Sequence, residues 1–139
     1  VVSNLHDELK ELRQHLLHLA NYHGIEVEDL PAESGTHMFI RLFNKIFMNP
    51  NEHRSNYEFG LAHELAHAIY GDPDGESYYS FSLLLRNEEE KTANANAIKI
   101  IARFVYRDTP VERRNWNTFI DAFNLPDSMH DLVKEIIYK

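Results

Sequence analysis

Ser55-Asn56-Tyr57-Glu58-Phe59-Gly60-Leu61-Ala62-His63-Glu64-Leu65-Ala66-His67-Ala68-Ile69-Tyr70-Gly71 is the stretch on which the reading of this chain turns. Its residues Tyr57, Leu61, Leu65, Ala68 and Ile69 recur at helical spacing. Ser55 followed three residues later by Glu58 is a capping-box candidate, and Gly71 with Asp72-Pro73 supplies a stop signal. Residues 56–70 are therefore expected to form one buried helix. In its middle lies His63-Glu64-Leu65-Ala66-His67, an H-E-x-x-H pentapeptide. Residues four apart on a helix share a face, roughly 40° apart in projection, so both imidazoles can reach one metal ion. Glu64 sits beside His63 at the rim of the same site. Two histidine ligands, with a carboxylate to take a proton from the attacking water, are the parts of a zinc hydrolase. The motif fixes only three positions, and a partly buried helix with two satisfied histidines would carry the same letters, so its weight comes from the helical context.

Such a site needs a third protein ligand and an open position for water. The chain has no cysteine, so that ligand must be His, Asp or Glu. No histidine follows His67 closely; the next is His130. The run Glu88-Glu89-Glu90 opens a second helical stretch, with Asn87 placed to cap it. Spacing leaves open which of the three glutamates would ligate. It also leaves open that Glu90 only closes a capping box while Glu88 and Glu89 favour the helix N-terminus electrostatically. Asn94, four residues after Glu90, is a candidate to orient that carboxylate.

The segment from Phe59 to Asp72 resembles the zinc-motif helix of the ImmA/IrrE family of metallopeptidases. In that family a later helix carries an E-x-x-A-N/D pattern whose Glu is the third zinc ligand, and Glu90-Lys91-Thr92-Ala93-Asn94 fits it. The resemblance thus implies His63, His67 and Glu90 as ligands of Zn²⁺ and Glu64 as general base. It implies an α+β fold: a compact, mostly helical zincin-like domain with a small β-sheet beside the active-site helix. Tyr22 to Val27 resembles the helix-to-strand step near the start of such domains. Met38-Phe39-Ile40 and Lys45-Ile46-Phe47-Met48 look like the paired strands before the motif helix. The match covers roughly residues 5–105. Three departures stand out: Ala66 replaces the Gly usual before the second His, the second helix runs on as Ile100-Ile101-Ala102-Arg103-Phe104-Val105, and no helix-turn-helix module is visible. Ala is the better helix former, so its substitution carries no expected penalty unless something must pack closely there.

The remaining sequence bounds the reading. At 139 residues, with 43% hydrophobic and 26% charged residues, the chain suits one soluble domain that buries about two thirds of its unfolded surface. The expected arrangement is a single domain over 1–139, with a core over about 5–106 and a C-terminal helical extension over about 107–139. No apolar run approaches a membrane span and no signal peptide is evident. The absence of cysteine excludes a disulfide scaffold and is compatible with a cytoplasmic setting. A net charge of −8 argues against direct nucleic-acid binding and mildly favours a basic partner.

Leu5, Leu9, Leu12, Leu16 and Leu19 mark an amphipathic helix ending at Gly24. Within it the step from His15 to His18 could hold a metal, although solvated histidines are the commoner outcome. Ile25 to Val27 reads as a strand, and residues 36–49 as the best β signal, with Phe43-Asn44 placed to turn a hairpin. A strand there could offer its edge to an extended peptide. His53 could polarise a substrate carbonyl, but reads more simply as a loop residue; Tyr78 or Tyr79 could donate to an oxyanion, but reads more simply as packing. Residues 90–106 form a long helix with an apolar stripe of Ala93, Ala97, Ile100, Ile101, Phe104 and Val105. A helix from Thr109-Pro110 to about Phe123 and a last one over 128–139 complete the chain.

These readings converge on a zinc metallopeptidase. The resemblance adds a regulatory role, since many relatives act on helix-turn-helix repressors, often in phages or mobile elements. The expected partner is then a protein substrate, a basic DNA-binding repressor being compatible with the acidic charge. The alternative is a non-catalytic antirepressor that keeps the fold and acts by binding.

Overall fold

The computed structural model describes residues 5–33, 35–52, 55–72 and 83–139. His53, Tyr78 and Tyr79 lie outside the described residues. Helix α1 (Leu5–Tyr22) buries Leu12, Leu16 and Ala20. It ends in a Schellman motif: Gly24 has φ +70°, Ile25 N–H donates to the Ala20 carbonyl (2.8 Å), and Gly24 N–H donates to the Asn21 carbonyl (3.0 Å). Glycine accepts that left-handed conformation without steric cost, and the chain turns there into the sheet.

The sheet has three strands, β1 (Glu26–Asp29), β2 (Met38–Ile40) and β3 (Lys45–Met48), in the order β1-β3-β2. β1 runs parallel to β3, with Val27 opposite Ile46; β2 runs antiparallel to it, with Phe39 also opposite Ile46. Central β3 points Ile46 and Met48 into the core. The β2–β3 hairpin is not turned at Phe43-Asn44 alone. Arg41–Phe43 form one 3-10 turn and Asn44 (φ 49°) closes it in the left-handed region, which Asn tolerates better than most residues.

Helix α2 (Tyr57–Tyr70) lies against β2, β3, α1 and the long helix α3 (Leu83–Val105). The expected capping box is corrected. Asn56, not Ser55, caps α2, its side chain accepting from Phe59 N–H at 2.8 Å. Glu58 is released from capping and instead takes the Arg13 guanidinium at 3.2 Å, tying α1 to α2. Gly71 follows α2 with extended rather than left-handed backbone. Ala66 is 1% exposed within an unbroken helix, so a small residue at that position is a packing requirement that Ala meets.

A second correction concerns α3, which starts at Leu83 and not at Asn87. The acidic run therefore lies inside the helix, and Glu90 is no capping residue. Its far half buries Ile98, Ile100, Ile101 and Ala102. The expected helix from Thr109 is a 3-10 turn (Val111–Arg113) followed by α4 (Trp116–Phe123), which Asn115 caps. After a 3-10 turn at Asp127–Met129, α5 (His130–Ile137) ends the described chain. Phe119, Ile120, Phe123, Val133 and Ile137 join the same hydrophobic cluster as Leu12, Ile46 and Leu65. The C-terminal helices thus help to build the core. Among the described residues, no helix is long and apolar enough to cross a membrane.

Candidate metal centre

Helix periodicity puts His63 and His67 one turn apart on α2, and packing of α2 against α3 brings Glu90 opposite them. The two Nε2 atoms are 3.1 Å apart. Glu90 spans both, with Oε2 3.0 Å from His63 Nε2 and Oε1 3.0 Å from His67 Nε2. Ligands at the corners of a tetrahedron with zinc-like bonds lie about 3.3 Å from each other, so the three side chains fit one four-coordinate divalent ion. Among the described residues, this is the group of His, Asp and Glu able to hold a metal. His15 instead stacks on Phe104, with ring centroids 4.4 Å apart.

Electrostatics agree with the fit. Hydrogen bonds from His63 and His67 hold the Glu90 carboxyl well below the usual carboxylate range. Burial works against charge on His67, but hydrogen bonding to Glu90 and the charges of Glu64 and Glu90 outweigh it and raise its pKa. The cluster therefore favours positive charge between its three side chains, which a divalent cation supplies.

Glu64 is 7% exposed, with Oε2 4.0 Å from His63 Nε2. Burial pushes its pKa up, against the pull of His63 and His67, while the Phe39 backbone N–H donates to its carboxylate. Strand β2 thus positions the base from across the cleft. That cleft, about 790 Å³ in volume, is lined by the triad, Glu64, Phe39 and Arg41, with Pro126 and Met129 contributed from the C-terminal part. Asn94 also lines it, four residues after Glu90 on the same helix.

Two contributions escape sequence reasoning. Glu89 Oε1 lies 3.4 Å from His67 Nδ1, so it serves the outer nitrogen of a histidine whose inner nitrogen faces the triad. Arg41 reaches from the hairpin turn to donate to the His67 carbonyl (3.1 Å), bracing the end of α2. Consecutive glutamates on a helix differ by about 100° in direction, and only the placement of α2 decides which one faces the metal position. For Arg41, the one available signal was a lone cation inside the apolar run from Met38 to Phe43.

The chain matches the Peptidase_M78 family model, IrrE N-terminal-like domain, over residues 20–129. No curated protein and no solved structure matches it. The chain belongs to the IrrE N-terminal-like family, and the domain is of the metallopeptidase type.

Proposed function

We propose that this member of the IrrE N-terminal-like family is a zinc-dependent peptidase that cleaves a regulatory protein. His63, His67 and Glu90 would hold the zinc. The observation that carries the reading is the convergence of these three donors beside a buried glutamate in an open cleft. Zinc bound there would lower the pKa of a water and polarise the substrate carbonyl.

The remaining work falls to the chain's own residues. Glu64, held by the Phe39 N–H and kept from water, takes the proton of the attacking water. Its raised proton affinity suits both halves of the task, since the same carboxyl then returns the proton to the leaving amine. Glu89 fixes the ring of His67 from behind.

The substrate we infer is a basic helix-turn-helix repressor of a phage or mobile element, encountered in the cytoplasm. The net charge of −8 supports a basic partner, and the family resemblance supports the regulatory role. The test is Glu64→Gln, assayed for zinc content and for cleavage of a candidate repressor by mass spectrometry. The variant should keep stoichiometric zinc and lose cleavage. Full inactivation of the repressor by Glu64→Gln, without cleavage, would instead make the protein a binding antirepressor.

A further inference from the structure

On the far side of α3 from the metal centre the chain carries a second groove, about 530 Å³ in volume. Lys99 follows Glu90 by nine residues and Arg103 follows Asn94 by nine, so each is turned about 180° from the cleft face of the helix. Lys99, Arg103, Arg107, Arg114 and Lys139 line this groove, against the single acid Glu135. Five of the 14 lysines and arginines of an acidic chain thus gather in one place.

These cations are not equivalent. Arg114 is engaged with the Thr109 and Ile137 carbonyls, Arg107 with the Phe104 carbonyl and Glu11, and Lys139 with Glu135. Lys99 and Arg103 are exposed and make no ion pair among the described residues. They sit four apart on one helix face, a spacing at which like charges repel in the absence of an anion. Arg103 lies in the last turn, where a cation offsets the helix dipole, but Lys99 lies beyond that turn. Between the charges, Ala102, Leu132 and Ile136 provide an apolar floor formed by α3 and α5.

We propose that this groove binds an acidic protein segment, one that lays apolar side chains on the floor and carboxylates against Lys99 and Arg103. Charge complementarity selects that occupant. The apolar floor selects among anions, since it suits a peptide with apolar anchors better than a small anion or a nucleic-acid backbone. The inference is independent of the metal and of catalysis.

The experiment uses the whole chain, isotope-labelled for NMR, titrated with a synthetic amphipathic peptide carrying leucines at helical spacing and glutamates elsewhere. Saturable shifts at Lys99, Arg103, Leu132 and Ile136 are expected, with and without zinc. The doubly exposed change Lys99→Glu with Arg103→Glu should weaken binding about tenfold or more, and added salt should weaken it in the unaltered chain. A circular dichroism melt like that of the unaltered chain would show the variant folded. A melt lowered by unfolding would move the test to Lys99→Gln with Arg103→Gln, for which weakened binding is again required. The proposal is overturned if the peptide causes no shifts in the groove, if the variants bind it equally, or if inorganic phosphate or a DNA duplex binds there more tightly.

Discussion

The imidazole of His37 occupies the space where a side chain on Gly60 would lie: a β-carbon there would be 2.4 Å from His37 Nε2. Gly60 precedes His63 by one turn, so this contact sets how closely the start of β2 approaches the metal-bearing face of α2. The ring cannot yield freely, because its Nδ1 accepts the Asn49 N–H at 2.9 Å. Intrinsic propensity favours Ala over Gly in a helix by roughly 1 kcal/mol, yet Gly60→Ala is expected to destabilise by about 1–3 kcal/mol through overpacking. The penalty should largely vanish in a His37→Ala background. Chemical denaturation of both single variants and the double variant checks this, and simple additivity would refute the contact.

His37 and Gly60 also show where the sequence falls silent. Gly60 lies in the segment read correctly as helix, and His37 lies just ahead of β2, outside the strand segment Met38-Phe39-Ile40, but no local pattern ties one to the other across 23 residues. The motif helix and the strand segments were legible because apolar periodicity and turn residues are local signals, whereas the α+β class came from the family resemblance. His63 and His67 were legible because one helix carries both. Glu90 needed the family pattern: α3 began a turn earlier than Asn87 suggested, since the residues from Leu83 continue the helix ahead of the acidic run. Glu58 was misread for a different reason. Its partner Arg13 lies 45 residues away, and a capping box was the nearest local explanation.

Glu89 and Glu90 should separate cleanly in metal binding. Glu90→Ala removes a donor that touches both imidazoles and should abolish stoichiometric zinc. Glu89→Gln retains a hydrogen-bonding side chain at His67 Nδ1 but loses the charge, and should weaken zinc by about 10–100-fold. Competition with a chromophoric chelator measures both. Equal loss in the two variants would mean that Glu89 is itself a ligand.

His15 should mark an acid-sensitive contact between α1 and α3. Burial lowers its pKa below 6.5, with Arg107 and His18 adding to the effect. The unfolded chain then binds the proton more readily than the folded one, so this group's contribution to stability falls as pH drops through 6.5. His15→Leu keeps an apolar side chain on Phe104 and removes the titration. Its melting temperature should gain on that of the unaltered chain between neutral pH and pH 5, and a pH-independent difference would count against the assignment.

Asn56 joins two distant parts of the molecule. Its side chain caps α2 through Phe59 N–H and donates to the Ala122 carbonyl, while its own N–H donates to the Phe123 carbonyl. Asn56→Ala removes the side-chain bonds and should cost about 1 kcal/mol, within the range for lost caps. Asn56→Asp keeps the cap acceptor and should recover most of it. Urea unfolding distinguishes the two, and equal losses would show that the Ala122 bond matters more than the cap.

Glu64 is expected to lower the stability of the metal-free protein at neutral pH. Burial raises its pKa above the ordinary 4.5, so the folded state holds the proton more tightly than the unfolded chain. Between 4.5 and that raised value, stability falls as pH rises, and above it the cost is constant. Glu64→Gln removes the ionisation and leaves an oxygen to accept the Phe39 N–H. In the presence of a chelator the variant should therefore be more stable than the parent at pH 7, within the ~0.5–2 kcal/mol usual for stabilising substitutions. The gain should shrink towards zero near pH 4, where both side chains are neutral in either state. Thermal melts across that range measure it. A variant no more stable than the parent at pH 7 would mean that the carboxylate is stabilised in place by its neighbours, and that its burial does not set its proton affinity.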